Sequence, residues 1–453
     1  MLRKVFIATL VVWLGSILYI STAFAELTYD YGATFRLRQE IWDNVMDLKT
    51  LNNPDRNFFR FRTSLWGKVD FDKDLGAYLK LTNEAKYYIG PYKLLNERLE
   101  ENELVIDNLY FKANNIFGLP VDLKIGRQDF MGPDMYGEGF LLLDGTPGDG
   151  SRTFYFNAAR ARWRITQNHS IDLVFISDQK TDRYLPSLHS SISNSSTYYN
   201  NKVILNTSDE QGFVAYGRSK LSENISLEPY YVYKTEKAYQ ANAKLKLNTI
   251  GARAVFTVDS WKIRGEFAHQ FGEYDGGKDR TGNGGYIFVG RTYKDVTLKP
   301  EFEIGFVYLS GDDPNTTSKN EGWDPLFSRA PFWNELMIYT FVYENLANCA
   351  TPGYWTNLQL YLAKVKMNFT PDTNLTLAYQ YLRAGELANP LAPFKAMFGT
   401  GKERGHLPMA FLSHKFSKNI DGFLQFEYFI PGDFYNDNAK NALFFRWQLQ
   451  FKV

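Results

Sequence analysis

The chain has 453 residues, and its 51 lysines and arginines nearly balance 50 aspartates and glutamates, giving a formal net charge of +1. Net charge therefore does not indicate a partner, and only the local placement of charges can. No nucleic-acid partner is expected. The single cysteine, Cys349, excludes an internal disulfide framework. Aromatic residues make up 17% of the chain, which suits strands that meet lipid on one face and water on the other.

The first 25 residues have the layout of a secretory signal peptide. Arg3 and Lys4 precede an apolar run from Val5 to about Ile20, and Ala23-Phe24-Ala25 forms a small-residue cleavage site. A single transmembrane anchor is the alternative, because the apolar run is long. We predict cleavage after Ala25, so that residues 26–453 form the mature protein. No run of 18 apolar residues follows, and no transmembrane helix is expected.

Apolar and polar residues alternate repeatedly along the mature chain, and this period of two is typical of β-strands with one face in water. The pattern predicts about eighteen strands, near residues 27–38, 59–71, 75–88, 104–113, 120–130, 154–166, 169–177, 211–219, 223–234, 243–258, 260–272, 284–293, 297–310, 355–369, 373–386, 406–416, 419–430 and 442–453.

The connections between these strands alternate between short and long. Short ones lie near 72–75, 114–120, 166–169, 258–261, 370–374 and 417–419, and long ones near 41–57, 89–103, 131–153, 178–210, 311–354 and 387–405. Tight periplasmic turns and long extracellular loops are the pattern of a transmembrane up-and-down antiparallel β-barrel. We therefore predict an all-β barrel in the outer membrane of a Gram-negative bacterium, monomeric and surrounded by lipid.

Arginines recur on the polar face of the predicted strands, which would face the lumen. On the strand near 154–166, three arginines alternate with Ala159, Ala161 and Trp163. The predicted lumenal arginines are Arg36, Arg38, Arg60, Arg62, Arg160, Arg162, Arg164, Arg253, Arg264 and Arg446. Two arginines at positions i and i+2 lie roughly 6.8 Å apart and repel by about 2.4 kcal/mol at an effective dielectric near 20. Such columns need offsetting acids or a bound anion.

Two interpretations of these arginines remain open. Lumenal carboxylates could brace them, so that they only maintain the barrel. Alternatively, they form an electropositive path for an anionic solute, because rings of arginine select anions in pores and the guanidinium fork matches carboxylates. Arg127 is a special case, since it shares the alternation phase of Leu123 and Ile125. Either Gly126 marks a bulge that reverses the phase, or Arg127 lies beyond the apolar belt.

Several ordered segments resemble the bacterial alginate export family, the AlgE-like outer-membrane barrels. They are LKIGRQDF (123–130), YGEGFLLLDGTPGDGSRTF (136–154), PEFEIGFVYLSGDD (300–313), WDPLF (323–327) and LQFEYFIPGDFY (424–435). The resemblance spans essentially the whole mature chain. It implies an eighteen-stranded barrel whose arginine-rich pore exports an anionic uronate polysaccharide. Periplasmic components of a secretion system would be partners.

The resemblance also implies individual pore residues. Arg127 and Arg446 match places where such barrels carry pore arginines, and Glu138, Asp144 and Asp149 are the matching acidic candidates. One departure is that no periplasmic turn is long enough to act as a plug. The stretch PFWNELMIYTFVYENL, residues 331–346, could form a short helix folded over or into the mouth, and we favour an external lid.

Catalysis is not expected. The five histidines are scattered without metal-ligand spacing, and GTPGDG (145–150) lacks the Lys-Ser/Thr of a phosphate-binding loop. We expect no enzyme activity, no cofactor and no metal. The leading hypothesis is an outer-membrane channel for an anionic polysaccharide or oligosaccharide. The alternatives are a general anion-preferring porin for small solutes and a barrel adhesin with a blocked lumen.

Overall fold

The computed structural model describes residues 27–90, 99–139, 155–185, 187–189, 208–238, 243–328, 333–340, 355–390 and 392–453. The predicted signal peptide lies outside these residues, as do Asp144 and Asp149.

Within the described residues, eighteen strands form the wall of one sheet. They are β1 (Thr28–Asp43), β2 (Arg56–Asp70), β3 (Leu75–Tyr88), β4 (Leu99–Ala113), β5 (Val121–Gln128), β6 (Phe156–Arg164), β7 (His169–Asp178), β8 (Glu210–Lys220), β9 (Ile225–Glu236), β10 (Leu245–Val258), β11 (Trp261–Tyr274), β12 (Asp279–Thr292), β13 (Glu301–Leu309), β14 (Leu358–Asn368), β15 (Thr373–Arg383), β16 (Glu403–Lys415), β17 (Ile420–Pro431) and β18 (Ala442–Lys452).

Each strand pairs antiparallel with its neighbours in sequence, and β1 also pairs with β18 from Thr34↔Lys452 to Asp43↔Leu443. The sheet is therefore a closed barrel without a free edge. Two short additions lie at its rim: Ser187–His189 pairs with β4, and Lys319–Asn320 pairs with β12. No helix in the described part of the chain is long and apolar enough to cross a membrane. The predicted fold class is confirmed.

The two ends of the barrel differ. We call one the short-turn end, where the connections are 71–74, 114–120, 165–168, 221–224, 259–260, 293–300, 369–372 and 416–419. The other is the long-loop end, whose longest connection spans residues 310–357. The connection 275–278 also lies at the long-loop end, although it has only four residues. It is therefore an exception to the predicted alternation of short and long connections. Strand β12 begins at Asp279, earlier than predicted, because Gly282, Gly284 and Gly285 hide its period of two.

Residues pointing outward form an apolar belt. Phe111 is 63% exposed, Trp163 53% and Ile304 64%, which in water would be unfavourable and in lipid is favourable. On the opposite face, residues such as Arg36, Glu84 and Arg446 are buried inside the barrel. Outward-apolar and inward-polar alternation is the pattern that the sequence predicts.

The long connection 310–357 enters the barrel. We call its described inner parts, residues 323–328 and 333–340, the inserted segment. Its aromatic and aliphatic side chains belong to one hydrophobic cluster with inward residues of the wall, among them Phe156, Val214, Leu360 and Phe444. The preference for an external lid over residues 331–346 is therefore wrong for 333–340, and the rest of that stretch lies outside the described residues. Leu358 and Leu360 are apolar but face inward, because the inserted segment gives them an apolar partner in the lumen. On this strand, apolar side chains therefore do not identify the lipid-facing side.

Small residues in the wall make room for the inserted segment. A Cβ atom added to Gly284 on β12 would lie 2.7 Å from the Trp323 ring, and one added to Gly212 on β8 would lie 2.5 Å from the Phe327 ring. Both distances are below van der Waals contact. The two glycines therefore act as recesses in which the aromatic rings rest against backbone.

Filling one recess tests how firmly the inserted segment occupies the lumen. Gly284→Val should displace Trp323, because the added side chain claims the volume of its ring. We expect higher single-channel conductance in planar bilayers and faster proteolysis of the 310–357 connection. Gly290→Val is the matched control on the same strand, since a Cβ there meets nothing closer than 3.5 Å. Identical behaviour of the two variants would contradict the insertion.

Candidate functional site

Four of the predicted arginines form a square on the inner face of two neighbouring strands. Arg36 lies opposite Arg62 and Arg38 opposite Arg60 in the β1–β2 register. All four are at most 8% exposed. Like charges placed directly across a strand pair repel, so this square requires acids nearby.

Two glutamates supply the compensating charge. Glu84 on β3 lies 3.2 Å from Arg36, 3.6 Å from Arg60 and 3.5 Å from Arg62. Glu40 on β1 lies 3.0 Å from Arg60 and 3.5 Å from Arg38. Each carboxylate thus bridges several guanidinium groups, and the square is an ion network in which neither sign is isolated.

The network continues across the barrel seam to the inserted segment. Arg446 on β18 lies 3.7 Å from Glu40 and 2.9 Å from Glu335 of the inserted segment. On β17, the Glu427 carboxylate accepts hydrogen bonds from the backbone N–H groups of Glu335 and Leu336 at 2.8–3.0 Å. Residues 336–340 are helical, so Glu427 caps the first turn of this helix. A predicted pore arginine therefore helps to hold the segment in the lumen.

A second anchor holds the other part of the inserted segment. Lys234 on β9 donates to Asp324 at 3.2 Å and to the Leu326 carbonyl at 2.9 Å. Gln270 on β11 donates to the Asp324 carbonyl and accepts from its N–H, both at 2.8 Å. Burial alone would raise the pKa of Asp324, but Lys234 and Arg280 outweigh it and hold this pKa below its ordinary value.

The arginine column of β6 is also paired with acids. Arg160 lies 2.6 Å from Asp134, Arg162 lies 2.7 Å from Asp172, and Arg164 lies 2.5 Å from Asp122. The exposed fractions of the three side chains are 10%, 20% and 40%, rising towards the short-turn end. These arginines are therefore more accessible to water than those of β1 and β2.

Glu138 joins two further arginines from the adjacent wall. Its carboxylate lies 3.2 Å from Arg253 on β10 and 2.5 Å from Arg264 on β11. Arg253 also lies 2.9 Å from Glu228, and Arg264 lies 2.5 Å from Glu303. The acidic candidate that the resemblance implied is thus placed among lumenal arginines by the connection between β5 and β6.

Arg127 is not in the lumen. The β5 register is unbroken on both sides of Gly126, although this glycine has a φ of 129°. The Arg127 side chain donates to Asn157, which shares the outward phase of Trp163, and forms two hydrogen bonds with Asp182 at 2.6 and 3.0 Å. It is fully buried. The prediction of Arg127 as a pore residue is therefore corrected, because the segment around Asp182 covers it near the long-loop end.

The other ten predicted arginines and Glu138 all lie on the inner face, in two groups on different parts of the wall. Arg218 is a lumenal arginine outside the predicted set, and it lies 2.6 Å from Asp172 and 2.9 Å from the Met135 carbonyl. Its phase on β8, shared with Tyr216 and Lys220, could have revealed it. Glu40 and Asp172 were also missed, although each shares the phase of the inward residues on its own strand. Among the described residues, no group of three or more potential ligands could hold a metal ion.

Removing one bridging carboxylate measures how far the arginine square depends on it. Glu84→Gln should lower the free energy of unfolding by about 3–5 kcal/mol, because it leaves buried guanidinium groups uncompensated. Glu301→Gln is the matched control: its pair with Lys366 is exposed, at 44% and 38%, and such pairs contribute about 0–1 kcal/mol. Urea unfolding in lipid vesicles measures both, and equal losses would contradict the bridging role.

Comparison with solved structures identifies outer-membrane barrels of the same architecture. OccAB1 of Acinetobacter baumannii has a TM-score of 0.56 at 11% identity, with 96% of this chain and 98% of that one covered. OccK5 (OpdH) of Pseudomonas aeruginosa has a TM-score of 0.53 at 13% identity, with coverages of 95% and 99%. At these identities the likeness is one of fold.

The sequence itself carries the family assignment. No curated protein matches it. The profile of the family described as Alginate export matches residues 197–448, more than half of the chain. Together with the closed barrel, this match places the protein in the outer membrane of a Gram-negative bacterium and indicates transport rather than catalysis. The chain belongs to the Alginate export family and is an outer-membrane channel.

Proposed function

We propose that the channel passes an anionic polysaccharide or oligosaccharide, most simply a uronate-type exopolysaccharide on its way out of the cell. The observation that carries this proposal is the arginine column of β6, whose side chains become more exposed towards the short-turn end. Family membership adds support, since the family is described by alginate export. Outer-membrane lipid surrounds the barrel, and we propose a monomer that receives polymer from periplasmic components of a secretion system.

The paired acids are compatible with transport. A guanidinium group has five N–H donors, so an arginine that bonds one aspartate keeps donors for a passing carboxylate. Conduction requires sites that attract the solute and still release it. Because Asp122, Asp134 and Asp172 offset much of the positive charge, they would keep a polyanion from binding too tightly to leave.

The inserted segment fills the long-loop half of the barrel, and this observation favours the alternative of a barrel adhesin. The inserted segment shares a hydrophobic cluster with the wall, which is the arrangement expected of a barrel adhesin with a blocked lumen. A general anion-preferring porin is the rival within transport. Conductance of the purified protein in planar bilayers separates all three. An adhesin gives no conductance, a porin conducts without polymer block, and the proposed exporter is blocked by polygalacturonate but not by neutral dextran.

The contribution of the β6 column can be measured as ion selectivity. A unit charge 10 Å away changes the energy of an anion by about 0.4 kcal/mol in water. Removing all three charges by changing Arg160, Arg162 and Arg164 together to Gln costs an anion about 1.2 kcal/mol and favours a cation by the same amount, so the anion-to-cation permeability ratio should fall by up to about 60-fold at low salt. Reversal potentials in a salt gradient measure the ratio.

The same three residues changed to Lys are the matched control, because they keep the charge and lose only the planar fork. Their selectivity should stay near that of the unmodified channel. If the Gln variant also keeps its selectivity while the barrel remains folded, the column is structural and the anionic path is wrong.

A further inference from the structure

A cavity of about 370 Å³ opens in the inner wall at the short-turn end. Four neighbouring strands, β6 to β9, and the turn 165–168 form it. Its lining includes seven residues that alternation directs inward: Arg162, Arg164, Ser170, Arg218, Lys220, Ser226 and Glu228. The cavity thus lies at the short-turn mouth of the lumen and includes the two arginines of the β6 column nearest that mouth.

The charges around this cavity leave a positive surplus. Four cations line it, and one acid, Glu228, lines it with them. Glu228 already bonds Arg253 at 2.9 Å. Arg162 and Arg218 share Asp172, whose carboxylate is fully buried behind them. Arg164 pairs with Asp122 at 2.5 Å, and this aspartate is 21% exposed but is not part of the cavity lining. The arginines are therefore held in place by acids outside the lining.

Lys220 is the cation that remains without such an acid. It is the last residue of β8 and is exposed, and it forms no ion pair with any residue that the structure describes. The adjoining Ser170 and Ser226 carry hydroxyl groups, which can donate to and accept from the hydroxyls of a sugar. An exposed ammonium group beside paired guanidinium groups and hydroxyls is suited to a sugar carboxylate.

We infer that this cavity is a binding subsite for one uronate unit at the short-turn mouth, where an exported polymer first meets the channel. The inference rests on the proposed function and deepens it. Lys220 attracts the carboxylate, Arg164 and Arg218 offer it fixed N–H donors, and the serine hydroxyls bond the sugar ring. The arginine column of β6 continues from this subsite into the lumen, so the polymer passes from one set of donors to the next.

Block by polygalacturonate, added separately to each side of single channels, tests the subsite. Lys220→Gln should lower the apparent affinity for block from the short-turn side by about fourfold, the effect of one charge at roughly 5 Å in water. Block from the long-loop side should change less. Lys68→Gln is the matched control, because Lys68 also faces inward near the short-turn end but pairs with Asp70 at 2.5 Å.

Channel orientation is established with Lys418→Cys in a Cys349→Ser background, from the side at which a membrane-impermeant thiol reagent reaches the exposed turn 416–419. Equal effects of Lys220→Gln and Lys68→Gln, or unchanged block by Lys220→Gln, would overturn the subsite and leave polymer transport standing. A wild-type channel that polygalacturonate blocks from neither side would instead overturn the proposed function, and the subsite with it.

Discussion

Compensation of buried positive charge is the constraint on which the interior of this barrel depends. Arg36, Arg38, Arg60 and Arg62 meet in pairs across β1 and β2, where their mutual repulsion would oppose strand pairing. Glu40 and Glu84 turn this repulsion into a network by bridging several guanidinium groups each. The arginine square can therefore exist inside the barrel only because acids on β1 and β3 face the same way.

Much of this arrangement can be predicted from the sequence, because alternation with a period of two assigns each side chain to one face of a strand. That rule yields the closed barrel of eighteen strands and the lumenal position of ten arginines such as Arg160 and Arg446. The pairing of acids with these arginines is harder to predict, since it depends on register between strands. Asp172 is separated from Arg218 by 46 residues, and the structure was needed to bring them together.

The remaining features depend on contacts that are remote in sequence. Leu358 and Leu360 resemble lipid-facing residues, and only the inserted segment explains why they point inward. Arg127 has the phase of its apolar neighbours, and the covering Asp182 lies in a connection whose path no local pattern fixes. Glycines in β12 look like weak points of a strand, yet Gly284 is the recess for Trp323.

The anchors of the inserted segment also impose an order on assembly. Glu335 bonds Arg446 on β18, and Thr340 donates to the Val45 carbonyl just beyond β1, so the segment spans the seam where the first and last strands join. Thr340 and Val45 are 295 residues apart, and such distant contacts form late. The docking surface is incomplete until β1 and β18 have paired. The contacts of Glu335 and Thr340 at the seam are therefore complete only in the closed barrel, whereas the anchor of Asp324 on β9 and β11 does not depend on closure.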